Sequence, residues 1–453
     1  MSTQRKTPRD KDRIDAERVP VILGGARTPF VESGGAFGPL MSYELGAEAI
    51  RGLLEKTDTD GAAIEMVAMG TVVHEVHTSN VAREAMLAAG VPSTTPAYTV
   101  SMAGLSPLAA LTGLSDMVAT GRIGVGIAGG TENFSDMPVR LSRNMRRGLF
   151  TLYQGRTAAN LMKVLRQLRP RDLSLDLPSP ADFTTRRTMG ELCEAMAAKF
   201  GVGREESDVF ASTSHERAID AWQEGRYDGD IVPVKSADSA DAVTRDNSPR
   251  SDATPERLAQ LTPVFDERSG IITAGNASRF TDGAAALLVS SLAKAQDLQL
   301  EAQAVIRDYV YGGVADLATE SLCGPAMTIP VLLQRNGLSV EDVGVWELHE
   351  AFAAQILVNQ VCLGSDDFAR GRLGLERAPG AIPSERLNLW GGSLALGNPF
   401  SATGDRLVMT AVRRLRDSAA RYAIVSSCAG GGLGGAILLE NADMLQDRSP
   451  LDQ

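Results

Sequence analysis

The amino-acid sequence predicts an α/β protein of layered helices and sheet, with two similar halves and a loop-rich insertion. Three observations carry this. Short apolar runs alternate with segments of helical apolar spacing, over 19–132 and again over 270–440. Each flanking half ends on a strand, a Gly-rich turn and small residues: Gly129-Gly130-Thr131-Glu132 in one, Cys428-Ala429-Gly430-Gly431-Gly432 in the other. Between them, over about 137–265, the regular texture breaks into basic, polar and Pro-containing stretches. The direct match between the halves is weak, so the duplication rests on this shared pattern. The alternation also predicts much parallel sheet.

With 453 residues, 43% hydrophobic and 22% charged, the chain has ordinary globular composition and length for two or more domains. A net charge of −11 argues against nucleic-acid binding. Four cysteines without a C-x-x-C pair argue against a disulfide framework or a metal site and point to a reducing, cytoplasmic setting. No apolar run approaches ~20 residues, so no spanning helix is expected. Residues 1–17 are polar, and Asp10, Asp12, Asp15 and Glu17 disfavour a transit peptide. They read as a disordered tail, and 446–453 as a second tail. The expected organisation is 18–136 plus 266–292 for the first half, 137–265 for the insertion and 293–445 for the second half.

In chain order, 19–24 predicts a buried strand, 43–54 a helix, 66–73 a strand, and 80–89 a helix closed by Gly90. Tyr98, Val100 and Met102 alternate as a strand running into a helix. That helix has Ser106 as N-cap, Pro107 at its first position, and Leu108, Leu111, Leu114 and Val118 at helical spacing. The turn between strand and helix holds Gly104. A nucleophile gains most before a helix N-terminus, where the dipole favours an anion. Neither Cys, Ser nor Thr stands there, so this is an active site without its nucleophile or an ordinary turn.

Residues 124–128 predict a strand ending in Gly129-Gly130-Thr131-Glu132. Over 140–171, Arg140, Arg143, Arg146, Arg147, Arg156, Lys163, Arg166 and Arg169 come without an acid, and Leu161, Leu165 and Leu168 share one helical face. A basic amphipathic helix rests on an anionic membrane, grips a partner, or packs on its own protein. Helices are expected at 187–200 and 205–224, and loop over 237–257. Strands return at 284–290, 304–311, 343–348, 423–427 and 436–440.

Of four histidines, His74, His77, His215 and His349, the last stands at a strand-to-helix junction with Glu350 beside it. It is a hydrogen-bond donor or proton handler, or a histidine that satisfies local backbone. Cys428 stands beside the Gly430–Gly432 nest, where glycines leave N–H groups free for an oxyanion. It is an acid, base or nucleophile there, or a small buried hydrophobe. Cys193, Cys323 and Cys362 lack such a setting and read as core. Asn398, in a Gly-bounded turn, donates and accepts hydrogen bonds but cannot act as a base. Gly129-Gly130 is not a dinucleotide fingerprint, and no phosphate-loop pattern occurs.

These blocks, in this order over about 19–441, resemble the thiolase family: Arg27-Thr28-Pro29, Gly129-Gly130-x-Glu132-x-x-Ser135, Thr273-Ala274-Gly275-Asn276-Ala277-Ser278, His349-Glu350-Ala351-Phe352, Gly391-Gly392 and Cys428-Ala429-Gly430-Gly431. The His-Glu-Ala-Phe form, Pro399-Phe400-Ser401-Ala402-Thr403-Gly404 and Leu168-Arg169-Pro170-Arg171-Asp172-Leu173 are most similar to the branch of fatty-acid β-oxidation thiolases with long-chain substrates, including trifunctional-enzyme β subunits. The resemblance implies a five-layered α-β-α-β-α arrangement, a loop domain and a dimer. It implies acyl-CoA as substrate with no permanently bound cofactor, and an α-subunit as a possible partner.

The resemblance also implies catalytic roles. The family's nucleophilic Cys matches Gly104, and its activating His matches Asn398. The residue that binds the thioester oxygen matches His349. The acid–base Cys matches Cys428, with the Gly430 amide in an oxyanion hole. Ser278 is implied at the pantetheine arm of CoA, although Arg279 replaces the Gly often found next to it. The two lost groups are chemical partners, which argues for a changed mechanism. Gly104 cannot form an acyl-enzyme, so ordinary thiolysis loses several powers of ten. Three readings follow: noncovalent carbon–carbon bond chemistry on acyl-CoA thioesters, a catalytically dead CoA- or subunit-binding protein, and ordinary thiolysis through Cys428. The last is weakest, because Cys428 lacks an evident base.

Overall fold

In the computed structural model, residues 16–445 are described apart from 177, 180 and 237–240. The tail 446–453, and all of the tail 1–17 but its last two residues, lie outside the described residues. The first half contributes β1 (Pro20–Arg27), β2 (Met66–Gly70), β3 (Ala97–Val100), β4 (Val125–Glu132) and β5 (Thr281–Ser291). The second contributes β6 (Ala304–Gly313), β7 (Val343–Leu348), β8 (Tyr422–Ala429) and β9 (Leu433–Asn441). They form a 10-stranded sheet in the order β7-β8-β9-β6-β1-β5-β4-β2-β3, with the short strand Val31–Glu32 beside β5.

Pairing is parallel at β7–β8, β4–β2 and β2–β3 and antiparallel at the other junctions of that path. The sheet is mixed, which corrects the expectation of largely parallel pairing. The connections explain it: β8 reaches β9 across Gly430–Gly432 alone, and so short a link joins only antiparallel neighbours. Outward from the β1–β6 junction, β1-β5-β4-β2-β3 and β6-β9-β8-β7 repeat one order and orientation. A parallel bridge from Trp346 to Leu387 extends the second series.

The principal helices are α1 (Ser42–Lys56), α2 (Val81–Ala88), α3 (Ser106–Ala119), α4 (Arg143–Gln154), α5 (Ala158–Gln167), α6 (Met189–Phe200), α7 (Arg204–Gln223), α8 (Gly324–Asn336), α9 (Ala353–Leu363) and α10 (Phe400–Ser418). α3 leads into β4, and α10 occupies the matching place before β8. These two helices pack on each other and on strands of the sheet, as a central layer. α1 and α2 cover the first half, while α8, with α9 beside it, covers the second. The layers therefore run α-β-α-β-α. Leu108, Leu111 and Leu114 of α3 meet Leu407, Val412 and Leu415 of α10 in one buried core with Leu287, Val345 and Val425. Burial of each such leucine contributes about 2 kcal/mol.

Two local readings are corrected. Leu105, not Ser106, is the N-cap of α3. Ser106 is already helical, and its Oγ accepts from Met102 N at 2.8 Å and donates to Ala103 O at 2.6 Å. Gly129-Gly130-Thr131-Glu132 is not a turn but the end of β4. A Cβ at Gly130 would lie 1.5 Å from Ser401 O, so glycine there admits the first turn of α10.

In the insertion, α4 packs on α5, while α6 and α7 pack on α9. The face expected to be apolar on α5 points outward, with Leu161 46% and Leu165 57% exposed; Val164 is the residue buried there. Among the described residues no helix is long and apolar enough to cross a membrane.

Candidate active site

The site forms where strand ends and helix starts from both halves meet. β7 and β8 run parallel with Leu348 opposite Ser426, and His349 N donates to Ser426 O at 2.9 Å. This sets His349 beside the end of β8, where Cys428 pairs with Gly434. A Cβ at Gly104 would lie 3.4 Å from Cys428 O and 3.8 Å from Ala429 Cβ. Asn398 precedes α10. Its Nδ2 donates to Ser278 Oγ at 3.2 Å and lies 3.4 Å from His349 Nε2. Thr403 Oγ1 donates to Asn398 Oδ1 at 2.8 Å, and Asn398 N donates to Arg279 O at 3.0 Å. Gly104, Ser278, His349, Asn398, Cys428 and Gly430 are thus brought together.

Nothing in the backbone requires glycine at 104. The left-handed residue in this turn is Ala103, with φ 48°, and a Cβ at Gly104 would make ordinary contacts. The missing thiol is a matter of sequence, not of space.

His349 is buried, and burial together with the Arg406 charge lowers its pKa to about 3. It is a neutral imidazole at physiological pH. Its Nδ1 is 2.9 Å from Ser393 Oγ, which accepts from Arg406 Nη2 at 3.0 Å. In the tautomer in which the Ser393 hydroxyl, accepting from Arg406, donates to Nδ1, Nε2 carries the imidazole proton. Nε2–H and the Asn398 amide are then two adjacent donors. Such a pair suits one acceptor oxygen, such as a thioester carbonyl.

Glu350 stands behind them. Its carboxylate accepts from Asn388 Nδ2 and Ser214 Oγ, both at 2.7 Å, and from Leu394 N at 3.2 Å. Burial raises its pKa. A Cβ at Gly392 would come within 2.1 Å of this carboxyl group, which explains that glycine. Arg406 is buried with Nη1 3.9 Å from Glu347 Oε2, and Arg414 Nη1 donates to Glu347 Oε1 at 2.6 Å. Burial pushes the Cys428 thiol up to about 12, so it is held protonated.

Other candidates lie elsewhere. His215 is in α7 and accepts from Arg250 N at 3.1 Å. His74 lines a small surface cleft with Thr71, Glu75 and Thr99. Cys193, Cys323 and Cys362 are in the core of the second half. A cavity of about 570 Å³ between β1 and α10 is lined by Lys56, Asp230 and Arg413, whose charges pair with one another. Sequence reading missed Ser393 and Arg406. The charged Asp405-Arg406 step inside an otherwise apolar-faced helix was a usable signal; Ser393 offered none.

A two-half α/β protein whose loops converge two N–H donors and a protonated thiol defines a class that handles activated carbonyl compounds. The family description "Thiolase, N-terminal domain" matches residues 20–293, and "Thiolase, C-terminal domain" matches 300–441. Trifunctional enzyme subunit beta, mitochondrial, of Rattus norvegicus is 42% identical over 420 residues, covering 93% of this chain and 88% of its own. The probable 3-ketoacyl-CoA thiolase of Caenorhabditis elegans is 40% identical over 443 residues, covering 97% and 98%. The crystal structure of the Bacillus anthracis acetyl-CoA acetyltransferase superposes with a TM-score of 0.79 at 28% identity, covering 93% of this chain and 98% of that one. The chain belongs to the thiolase family, in its acyl-CoA acyltransferase class.

Proposed function

We propose that this chain binds acyl-CoA thioesters and makes or breaks a carbon–carbon bond at the α-carbon without acylating itself. The observation that carries this is the donor pair of His349 Nε2 and Asn398 Nδ2, 3.4 Å apart beside Ser278, with Gly104 where a nucleophile is expected. The pair holds the thioester oxygen as charge moves onto it. The Cys428 thiol, kept protonated by burial, serves as the acid, and the Gly430 amide adds to the oxyanion site. In this reading acyl-CoA is the substrate, and no resident cofactor takes part. The test is exchange of the α-hydrogens of acetyl-CoA in deuterated water. Exchange lost in His349→Ala supports the reading, and its absence in the intact protein refutes it.

The second reading, a CoA- or subunit-binding protein without turnover, is favoured by the absence of a nucleophile at 104 and of a histidine at 398. Acetyl-CoA binding without exchange would establish it. We also propose a homodimer. An α-subunit partner is supported by the β-subunit name of the rat relative. A cytoplasmic setting is supported by four free buried cysteines, although that relative is a mitochondrial protein. We further propose that α4 and α5 rest on an anionic lipid surface, because Leu149, Phe150, Tyr153, Leu161, Met162 and Leu165 are exposed among the cations of that segment.

A further inference from the structure

We propose that Arg406, acting through Ser393, holds His349 in the Nε2–H form and so makes its ring edge a donor to a carbonyl oxygen. Arg406 is a positioning residue, because it reaches the site only through two other side chains. The catalytic consequence rests on the α-carbon reading above, while the proton position on His349 stands apart from it.

Two hydrogen-bond patterns suit a neutral His349. In the first, Arg406 donates to Ser393, Ser393 donates to Nδ1, and the ring proton is on Nε2. In the second, Nδ1–H donates to Ser393 and Nε2 accepts from the Asn398 amide. Asn398 serves either one. Thr403 Oγ1 donates to its oxygen, and its Nδ2 donates to Ser278 Oγ and lies 3.4 Å from His349 Nε2.

The guanidinium decides between them. Arginine carries donors and no acceptor, so the 3.0 Å contact from Nη2 makes Ser393 Oγ an acceptor in both patterns. Among the described residues, Ser393 Oγ has His349 Nδ1 and Arg406 Nη2 as its hydrogen-bond partners and no third. In the second pattern both of these donate, and the serine hydrogen is left without an acceptor. Ser393 is 0% exposed, so water does not rescue it, and a buried donor without a partner carries its full desolvation cost. In the first pattern that hydrogen is used at Nδ1, which sets the tautomer. Two N–H groups, Nε2–H and Asn398 Nδ2, then face one another. His349 and Asn398 retain 6% and 4% exposure, and one carbonyl oxygen between the two donors completes the network. Arg406 thus shifts the unfilled hydrogen bond from the buried serine to the substrate-facing edge of the ring.

The arginine is tied to the strand that carries the histidine. Its Nη1 lies 3.9 Å from Oε2 of Glu347, two residues before His349 on β7, and Arg414 Nη1 donates to Glu347 Oε1 at 2.6 Å. Arg406 Nε and Nη1 are buried without hydrogen-bond partners. A guanidinium buried for pairing alone uses more of its donors; here the satisfied donor is the one on Ser393. Arg406 also lies on α10, which Asn398 precedes, so one helix sets both members of the donor pair.

The experiment is nitrogen NMR of the full chain with isotopically labelled histidine, His349 being assigned by comparison with His349→Gln. Arg406→Met, Arg406→Lys and Ser393→Ala are measured beside the intact chain, together with acetyl-CoA affinity and α-hydrogen exchange. The intact chain should show the proton on Nε2. Arg406→Met and Ser393→Ala should each give a mixture of the two forms, and Arg406→Lys should restore Nε2–H. Exchange should fall about 10- to 100-fold in Arg406→Met with affinity kept, and recover in Arg406→Lys. An intact chain with the proton on Nδ1, or an unchanged Nε2–H form in both Arg406→Met and Ser393→Ala, overturns the assignment. If Arg406→Met fails to fold, Ser393→Ala decides in the same way. Absence of exchange in an intact chain that shows the Nε2–H form and loses it in Ser393→Ala overturns the α-carbon reading and leaves the assignment standing.

Discussion

The imidazole of His349 meets Ser393 Oγ at 2.9 Å, and Arg406 donates to that same hydroxyl from behind. The relay holds the ring from one side and leaves Nε2 beside the Asn398 amide. Removing this donor in His349→Ala should slow α-hydrogen exchange by about 10²- to 10³-fold. Ser393→Ala should slow it less, by loosening the ring, with little change in acetyl-CoA affinity. Rates and affinities measured on the same preparations check both. A pH–rate profile with an inflection near 6.5 that vanishes in His349→Ala would contradict the neutral imidazole.

Gly104→Cys should fold with a stability change of about 1 kcal/mol or less, since its Cβ makes ordinary contacts. Its thiol should acylate slowly, because no base stands at 398. Adding Asn398→His should bring rapid acylation, seen by mass spectrometry as an acyl adduct after mixing with acetyl-CoA. The intact chain should show no adduct. An acyl group trapped on it during turnover would refute noncovalent chemistry.

Glu132, at the end of β4, accepts from Val73 N at 2.8 Å and from Ser401 Oγ at 2.9 Å, and burial raises its pKa to about 7. The folded chain therefore holds this proton more tightly than the unfolded chain does. Its contribution to stability is fully present below about pH 4.5 and declines as pH rises to about 7, by an amount on the order of 3 kcal/mol. Chemical denaturation between pH 5 and 8 should show that decline in the intact chain and a flatter curve in Glu132→Gln. Equal slopes would refute it.

Gly130→Ala should destabilise the chain by about 3 kcal/mol or more, because its Cβ would overlap Ser401 O. The strain falls on the first turn of α10, so α-hydrogen exchange should weaken along with the denaturation midpoint through displacement of Asn398. A midpoint equal to that of the intact chain would show that the two backbones are less tightly apposed.

The α4–α5 pair should float with vesicles containing anionic lipid and not with neutral ones. Arg147→Glu combined with Arg166→Glu should lower the bound fraction, as should added salt. Equal recovery on neutral vesicles would count against an electrostatic contact.

How far the sequence alone reached is clear from particular residues. The strand expected over 343–348 is Val343–Leu348, because an apolar run bounded by a turn leaves little choice. Asn398 and His349 were recognisable from their places in ordered motifs, although only folding shows them 3.4 Å apart. Gly129-Gly130 looked like a turn because local sequence does not reveal that Ser401 packs against it. The outward face of α5 was likewise hidden, since periodicity marks an apolar stripe without saying what covers it.

The strands of the two halves are sewn together at β1 and β6 by two register pairs, Val21 with Val305 and Ile22 with Ala304. Gly104 and Ser278 come from one side of that seam, and His349, Asn398 and Cys428 from the other. Alignment across the pocket is thus entrusted to the leucine-rich contact of α3 with α10. A change that softened this contact would let the two banks drift apart while each remained folded, so activity would vanish at temperatures where the chain still looks native.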